Sequence, residues 1–345
     1  MVDGKRTKMA STKQFIEKRD NIASIISFIR DNKAVTRLEI SSGLALSWAC
    51  VSDLISLLIE QKIVLESKKK SDARAAEAVG RVPMRLTLNP QKYFLGIDIN
   101  ATGIAITILD LNGQKRNYRK WDAEILHNTE ELGISICDKI RVMLGENSDD
   151  CCGIGVAMQG ACSDGSLWTY PIHKGYVKFD PKAVIENCFS LPVFVRHDPE
   201  CMLYAVMDSI FVDSMAVRVD NDIGVAVMKK GRILEAPLEL GHIYVGNKKL
   251  KAILNDSESS GDYMRIAEEL GLAVANLAKL LGLKKVFIVG EIIEWFDKVE
   301  EQFFASFRRA SSSIECVVSN AVDASCGAAL VAMLEYPAVS KEKRY

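Results

Sequence analysis

The amino-acid sequence changes character near residue 90, and this junction constrains the fold on either side of it. Helical apolar patterns precede it and end in Gly80-Arg81-Val82-Pro83 and a short alternating segment. The apolar run Tyr93-Phe94-Leu95-Gly96-Ile97-Asp98-Ile99, which follows directly, is typical of a buried strand. The sequence therefore predicts two domains, over residues 1–90 and 91–345.

Charge is divided at the same point. Residues 1–90 carry 16 Lys and Arg against 10 Asp and Glu, whereas residues 91–345 carry 28 against 35. An excess of positive charge in the smaller domain favours a polyanionic partner for it. The alternative is that lysine is unevenly used without functional consequence.

Composition excludes several classes of protein. With 48% hydrophobic and 26% charged residues, the chain is typical of globular proteins. No apolar run reaches the roughly 20 residues that cross a bilayer, and the first residues lack the apolar segment of a signal peptide. We therefore expect a cytoplasmic protein without membrane contact. Nine irregularly spaced cysteines and four scattered histidines indicate free thiols and no metal site.

The first domain has the pattern of a winged helix-turn-helix. Ile22, Ile25, Ile26 and Ile29 form one apolar stripe, which predicts a helix over residues 14–32. Thr36 and Glu39 match a capping box that starts a second helix, and Gly43-Leu44-Ala45-Leu46 is predicted to form the tight turn after it. Ser47 is a natural N-cap for a third helix, whose stripe comprises Val51, Leu54, Ile55 and Leu58. Three helices with such a turn are the helix-turn-helix layout.

This layout predicts which residues contact DNA. The third helix would enter the major groove of double-stranded operator DNA with its outward N-terminal residues, namely Ser47, Trp48, Ala49, Ser52 and Asp53. Two predicted strands, 63–65 and 84–88, enclose a basic loop that would grip phosphate as a wing through Lys68, Lys69, Lys70, Arg74 and Arg81. The alternatives are a solvated charged loop and, for Trp48, a core or protein contact.

The second domain alternates strand and helix patterns, which predicts an α/β fold. Three adjacent strands begin it, with a hairpin turn at Leu111-Asn112-Gly113-Gln114. Further strands are predicted near 153–158, 192–196, 216–219, 223–228 and 286–289, and helices near 129–144, 181–188, 199–209, 264–281 and 321–335.

The order of five motifs resembles the ROK family of repressors and sugar kinases. They are Gly80-Arg81-Val82-Pro83, Gly96-Ile97-Asp98-Ile99, Gly153-Ile154-Gly155-Val156-Ala157, Leu191 to Asp198, and Glu239-Leu240-Gly241-His242. Each motif alone is weak, but their order in register is fairly specific, and the resemblance covers about residues 15–335. It implies a winged helix-turn-helix followed by a ribonuclease-H-like, actin-like domain of two lobes, with sugar bound in the cleft between them.

Two departures from the family pattern argue against ATP binding. Asn100-Ala101 replaces the glycines of the first phosphate loop, and Asp220-Asn221-Asp222 replaces the Gly-Thr-Gly type of the second. Added carboxylates would repel a polyphosphate by on the order of 1 kcal/mol or more per close pair. We therefore expect no nucleotide cofactor and no kinase activity.

The ligand contacts that the resemblance implies are only half present. Asp198 matches the family's catalytic base, Glu239 a carboxylate that binds sugar hydroxyls, and His242 a residue that touches sugar and ligates zinc, while His197 stands where the family has Asn. The cysteine run of the family's zinc site is missing after His242. These four residues are our candidate ligand site. The alternative is a vestigial cleft in which they pair with backbone or with each other.

The preferred interpretation is a DNA-binding repressor of carbohydrate-related genes, controlled by a sugar or sugar derivative and acting as a homodimer or homotetramer. A second hypothesis is a regulator whose vestigial cleft serves dimerisation or partner docking. A third is a sugar kinase. A two-carboxylate hydrolase stays open on spacing alone.

Overall fold

The computed structural model describes residues 18, 20–68, 84–160, 162–163, 166–207, 209, 211–234 and 238–339. The N-terminal part consists of helix α1 (residues 20–32), helix α2 (Arg37–Leu44), helix α3 (Trp48–Glu60) and the strands β1 (Val64–Lys68) and β2 (Met84–Leu88). The two strands pair antiparallel, and a backbone bridge from Val35 to Leu86 attaches the helices to them. This arrangement of three helices and a two-stranded sheet agrees with the predicted winged helix layout.

Both predicted helix caps are confirmed. The Thr36 side chain accepts a hydrogen bond from Glu39 N, and the Glu39 carboxylate accepts one from Thr36 N, which completes a capping box at the start of α2. The Ser47 side chain accepts from Cys50 N at the start of α3. These side chains satisfy backbone N–H groups that the first helical turn leaves without partners.

The turn between α2 and α3 differs from the glycine turn that the sequence predicts. Gly43 lies inside α2, where a Cβ would collide with the ring of Phe28. The left-handed residue that ends the helix is Ala45, with φ 52°. The glycine is required for close packing of α2 on α1, and the alanine bears the strained backbone of the turn.

The first lobe is built on a sheet of five strands. Its elements in chain order are β3 (Tyr93–Asn100), β4 (Gly103–Asp110), β5 (Lys115–Asp122), α4 (Thr129–Leu144), a 3-10 helix (Gly145–Asp150), β6 (Cys151–Met158), β7 (Cys162–Ser163), β8 (Leu167–Ile172), β9 (Gly175–Phe179), α5 (Pro181–Phe189), β10 (Val193–His197) and α6 (Asp198–Val206). The strand order is β10-β6-β3-β4-β5, with β3, β6 and β10 parallel. The small sheet β7-β8-β9 is separate from it.

The second lobe is built on a sheet in the order β13-β12-β11-β17-β18, with β14 paired to β12. Its elements are β11 (Ser214–Val219), β12 (Ile223–Lys229), β13 (Arg232–Ile233), β14 (Leu238–Glu239), a 3-10 helix (Leu240–His242), β15 (Tyr244–Val245), β16 (Lys248–Lys249), α7 (Leu250–Ser260), α8 (Met264–Leu280), β17 (Lys285–Val289), α9 (Ile293–Phe296), α10 (Glu300–Ala310), β18 (Glu315–Val318) and α11 (Ser325–Val339). The predicted α/β class is therefore confirmed, and each strand that the sequence predicts in the two lobes has a counterpart near its predicted position.

Several elements are missing from the sequence prediction. The sheet β7-β8-β9 and the helices α7 and α10 were not predicted, and α11 begins at Ser325 instead of residue 321. Strand β9 is mostly exposed and α7 is polar over much of its length, so neither has the strong apolar periodicity on which the prediction rests.

Helix α11 leaves the second lobe and packs on the sheet of the first. Gly96 and Gly155 lie side by side on the parallel strands β3 and β6, where they form a surface without side chains. A Cβ at Gly96 would collide with the carbonyl oxygen of Ser325, and one at Gly155 with that of Ala328. The two glycines thus allow the helix backbone to approach the sheet closely, and α11 joins the two lobes.

We predict that Gly155→Ala destabilises the protein by about 3 kcal/mol or more, because its new Cβ meets backbone atoms that cannot rotate away. Gly133→Ala in α4 is the matched control. Its Cβ would lie at an ordinary 3.4 Å from Val184 Cγ1, so helix propensity should stabilise the protein by up to about 1 kcal/mol. Urea unfolding measures both variants. Equal midpoints for the two would contradict the close packing of α11.

Candidate functional site

The cleft between the lobes contains a cavity of about 210 Å³ at the ends of β6, β10 and β11. Helix α6 begins at this point, and the 3-10 helix Leu240–His242 closes the opposite side. All four predicted ligand residues meet here. The lining residues are Gln159, Gly160, His197, Asp198, Pro199, Arg218, Asp220, Asp222, Gly224, Glu239 and His242.

The buried guanidinium of Arg218 organises the cleft. It extends from β11 and contacts three carboxylates that come from different segments of the chain. Nη2 donates to Asp98 Oδ2 at 3.2 Å, Nε donates to Asp220 Oδ2 at 2.5 Å, and Nη1 forms an ionic contact with Asp198 Oδ2 at 2.9 Å. All four residues are buried, with at most 8% of any of them exposed. One cation therefore links β3 of the first lobe, the start of α6 and the end of β11.

Three carboxylates around one cation leave an excess of negative charge in a place that water does not reach. Burial raises the pKa of Asp198 to about 8 despite the lowering influence of Arg218, with Asp98, Asp220 and Glu239 adding to the rise. Burial likewise raises the pKa of Asp98. Burial alone would lower the pKa of Arg218, but the three carboxylates raise it well above its usual range. The cluster thus holds a proton on Asp198 at neutral pH while Arg218 keeps its charge.

The other oxygen of Asp198, Oδ1, lies near His197 and not near Arg218. His197 Nε2 lies 3.5 Å from Asp198 Oδ1 and 3.8 Å from Glu239 Oε1, both longer than a good hydrogen bond. The indole of Trp168 stacks over the His197 ring with centroids 6.2 Å apart. Burial, followed by the charge of Arg218, lowers the pKa of His197 to about 4, so this imidazole is neutral at physiological pH. The fourth predicted residue, His242, is exposed at the edge of the cavity.

Both positions that replace phosphate-loop glycines carry side chains with internal partners. Asn100 Nδ2 donates to Asp98 Oδ2, and Asn100 Oδ1 accepts from the backbone N–H and the hydroxyl of Thr102. Asp220 Oδ1 accepts from Glu291 N at 2.8 Å, and Asp222 pairs with Lys251. The two aspartates are therefore neutralised by partners, not bare as the repulsion argument from sequence assumed. Asp220 itself accepts the hydrogen bond of the Glu291 backbone N–H, which is therefore not free to bind a ligand in this cleft.

The predicted DNA contacts at the start of α3 lie on one exposed face. Ser47, Ala49 and Asp53 are exposed, 55% of Trp48 is exposed, and Ser52 is half-buried. The predicted wing residues Lys69, Lys70, Arg74 and Arg81 lie outside the described residues, as does the side chain of Lys68. Exposure of a tryptophan at this position argues against the alternative that Trp48 belongs to the core.

Sequence reasoning missed the residue on which the cleft depends. Arg218 interrupts the otherwise apolar strand Ser214–Val219, and a charged residue at a fully buried strand position requires partners. That signal was available in the sequence. Its distant partners were not, because Asp98 lies 120 residues before Arg218 in the chain and Asp198 belongs to a different element.

No group of three or more His, Cys, Asp or Glu side chains is placed to hold a metal ion in the part of the chain that the structure describes. Likewise, no helix that the structure describes is long and apolar enough to cross a membrane.

Comparison with known proteins finds a family model that matches part of the chain, and solved structures that share its fold. Residues 94–252 match the model of the ROK family. The uncharacterized protein y4fQ of Sinorhizobium fredii is 22% identical over 183 residues, which are 52% of this chain and 45% of that protein, so the chain spans about half the length of this relative.

Two solved structures, both under 20% identical, share the fold. One is a ROK family transcriptional regulator described as a homolog of the E. coli MLC protein, with 17% identity, a TM-score of 0.73 and coverage of 93% of this chain and 97% of that one. The other is a ROK family glucokinase from Streptomyces griseus in complex with glucose and AMPPNP, with 16% identity, a TM-score of 0.55 and coverage of 69% and 98%.

We predict that Asp198 makes stability fall as pH rises. Its pKa is raised in the folded protein, so the folded state binds more protons than the unfolded state between about pH 4 and about pH 8. The stability present below pH 4 is lost across this window, by at most about 1.4 kcal/mol per pH unit for one proton. Asp198→Asn should remove this part of the slope in urea unfolding measured from pH 5 to pH 8. Asp53→Asn, on the exposed face of α3, controls for loss of a surface carboxylate. An unchanged slope in Asp198→Asn would mean that Asp198 is ionised in the folded protein.

Proposed function

We propose that this chain, which carries a ROK family domain over residues 94–252, is a cytoplasmic transcriptional repressor of carbohydrate-related genes. Residues 1–90 would bind operator DNA, and residues 91–345 would bind a sugar or sugar derivative and form the oligomer. The observation that carries the proposal is the helical N-terminal module. The buried side of its helix α3 belongs to a hydrophobic core that continues into the first lobe, and the opposite side of α3 is exposed. The match to a ROK regulator over 93% of this chain supports it, because such a match includes these helices.

The face of α3 supports DNA binding through its chemistry and its position. An N-terminal helix end with exposed Ser47, Trp48 and Ala49 offers backbone N–H groups and small side chains that can approach base edges. The predicted wing would add phosphate contacts from its lysines and Arg81. A single module of this size reads few base pairs, so specific binding requires at least a homodimer on two half-sites.

Helix α6 runs from the cleft to a groove that is also lined by α1. Its first residue is Asp198 in the cleft, and its last turn lies about 13 Å further on. There, Tyr204 and Met207 line a groove of about 900 Å³ opposite Ser24 and Phe28 of α1. Because α6 also packs on α11 and on both β11 and β12, a shift of Asp198 on ligand binding would be passed to α1 as a rigid-body movement.

The ligand would contact Asp198, Glu239, His197 and His242 and would act by population shift. A ligand that binds one degree of lobe closure better than another changes the populations of the two states, and thereby the spacing of the DNA-binding modules in the dimer. The second hypothesis, a regulator whose cleft binds no sugar and serves partner docking, is favoured by the internal pairing of Asp222 with Lys251.

A kinase is disfavoured by the contents of the cleft. Asp220 stands where the resemblance places a phosphate loop, and it already accepts hydrogen bonds from Arg218 and from the Glu291 backbone. Release of these groups to admit a polyphosphate would leave buried charges without partners. We therefore propose that the protein has no enzymatic activity and no cofactor, although ROK sugar kinases share its fold.

We predict that Ala49→Glu weakens binding to DNA from the protein's own upstream region by about tenfold or more. A carboxylate set against DNA phosphates is repelled by on the order of 1–4 kcal/mol, whereas an acidic residue in the first turn of α3 stabilises the helix. Ala123→Glu adds the same charge at an exposed position in the first lobe and should leave affinity unchanged. Fluorescence anisotropy measures all three proteins. Equal affinities for the two variants would remove α3 from the interface.

We further predict that millimolar ATP with Mg²⁺ leaves the melting temperature unchanged, and that no ADP forms from ATP in the presence of glucose or other hexoses. The reason is that Asp220 pairs with Arg218 and also accepts a hydrogen bond from the Glu291 backbone N–H, so neither donor is available to a nucleotide phosphate. A sugar-dependent release of ADP that is lost in Asp198→Asn would replace the regulator by the kinase hypothesis.

A further inference from the structure

The cleft contains more acidic than basic side chains, and each of its two basic side chains already pairs with at least one carboxylate. Asp98, Asp198, Asp220, Asp222 and Glu239 lie in or beside the cavity, and Arg218 and Lys251 are the cations that they contact. Arg218 serves three of these carboxylates and Lys251 serves Asp222. Glu239 forms no ion pair with either cation among the described residues; its contact at 3.8 Å is with the neutral imidazole of His197, and Lys251 and His242 lie within electrostatic range of it. A phosphate group placed in this cavity would therefore be repelled, and a cation would be attracted.

One oxygen each of Asp198 and Glu239 lies beside the same nitrogen. Asp198, which is 96% buried, lines the cavity, and its Oδ1 is 3.5 Å from His197 Nε2. Glu239, whose side chain is partly exposed, also lines the cavity, and its Oε1 is 3.8 Å from that nitrogen. A ligand group with several N–H donors could donate to both oxygens.

Arg218 fixes this geometry from the opposite side. It holds Asp198 Oδ2 at 2.9 Å and so directs Oδ1 toward the cavity. Lys251 holds Asp222 in the same way, away from Glu239. The internal cations therefore leave one oxygen of Asp198 and one of Glu239 for the ligand.

We propose that the cleft binds a monosaccharide that carries a free ammonium group, with this ammonium between Asp198 Oδ1 and Glu239 Oε1 and its hydroxyls on His197, His242 and Gln159. This inference rests on the proposed function, because it names the ligand class of the same cleft. The cavity of about 210 Å³ is smaller than the roughly 300–1,000 Å³ of sites for drug-sized ligands, which favours a single sugar ring over an oligosaccharide.

Isothermal titration calorimetry of the full chain without DNA tests the proposal with D-glucosamine, D-glucose and D-glucose 6-phosphate. D-glucosamine should bind at least about tenfold more tightly than D-glucose, because it gains charge-assisted hydrogen bonds to the buried Asp198 and the half-buried Glu239. The phosphate should bind most weakly. Tightest binding of the phosphate, equal binding of the amino and neutral sugars, or no binding of any of the three at millimolar concentration would each overturn the proposal.

Proton release provides a second readout. Asp198 faces Arg218, Asp98, Asp220, Glu239 and His197, and at pH 7 its carboxyl retains a proton. A bound ammonium replaces that proton, which passes to the buffer, so the heat of D-glucosamine binding should differ between two buffers of different ionisation enthalpy. D-glucose should show no such difference. Buffer-independent heat for D-glucosamine would contradict the placement of the ammonium beside Asp198.

Glu239→Gln provides the matched variant. It should abolish the preference for D-glucosamine over D-glucose, whereas Glu301→Gln on the exposed face of α10 should preserve it. A preference that survives Glu239→Gln would overturn the proposed subsite. DNA binding is tested separately, because the fluorescence anisotropy assay of Ala49→Glu contains no sugar. Failure of the ligand proposal can therefore be distinguished from failure of the regulator proposal.

Discussion

The ionic contacts of Arg218 are the constraint on which the arrangement of the lobes depends. A guanidinium buried in the sheet of the second lobe is stable only where carboxylates reach it, and they come from β3, from the start of α6 and from the end of β11. Removal of one partner from such a cluster typically costs about 3–5 kcal/mol, since it leaves a buried charge uncompensated. The three segments are therefore held in one relative position, and the cleft between them has a defined shape without any bound nucleotide.

This arrangement changes what movement of the lobes can accomplish. A cleft that closes on a nucleotide needs backbone donors and space for phosphates, and here Asp220 accepts from Glu291 N while Thr102 approaches Glu291 from the other lobe. Helix α11 restricts the lobes further, since the paired glycines Gly96 and Gly155 bring it into backbone contact with the first sheet. A large separation of the two lobes is therefore energetically unfavourable, and a ligand in the cleft would act through small shifts of α6.

The sequence predicts the parts of this fold whose signals are local. The apolar stripe of α3, the capping box at Thr36 and the apolar strands β3 and β6 follow from spacing within a few residues. The sequence does not reveal that Gly43 packs on Phe28 while Ala45 bears the left-handed turn, because that distinction depends on the distance between two helices. In the cleft, the order of motifs predicted that Asp198 and Glu239 belong to one site. The role of Arg218 could not be predicted in this way, because it depends on a contact with Asp98, 120 positions away in the chain.

The charge of the cleft follows from the same replacement of glycines by side chains. Aspartates at positions 220 and 222 remove room for phosphate, and each then requires a cation, which Arg218 and Lys251 supply. Arg218 also contacts Asp98 and Asp198, so its single charge is divided and Asp198 retains a proton. A binding site that holds a proton in its free state exchanges it for a ligand cation without acquiring uncompensated charge. Under the proposed function, the absence of nucleotide binding and affinity for a positively charged ligand would be two consequences of one arrangement of charge, and α6, which lines a groove together with α1, would be the element that transmits ligand binding.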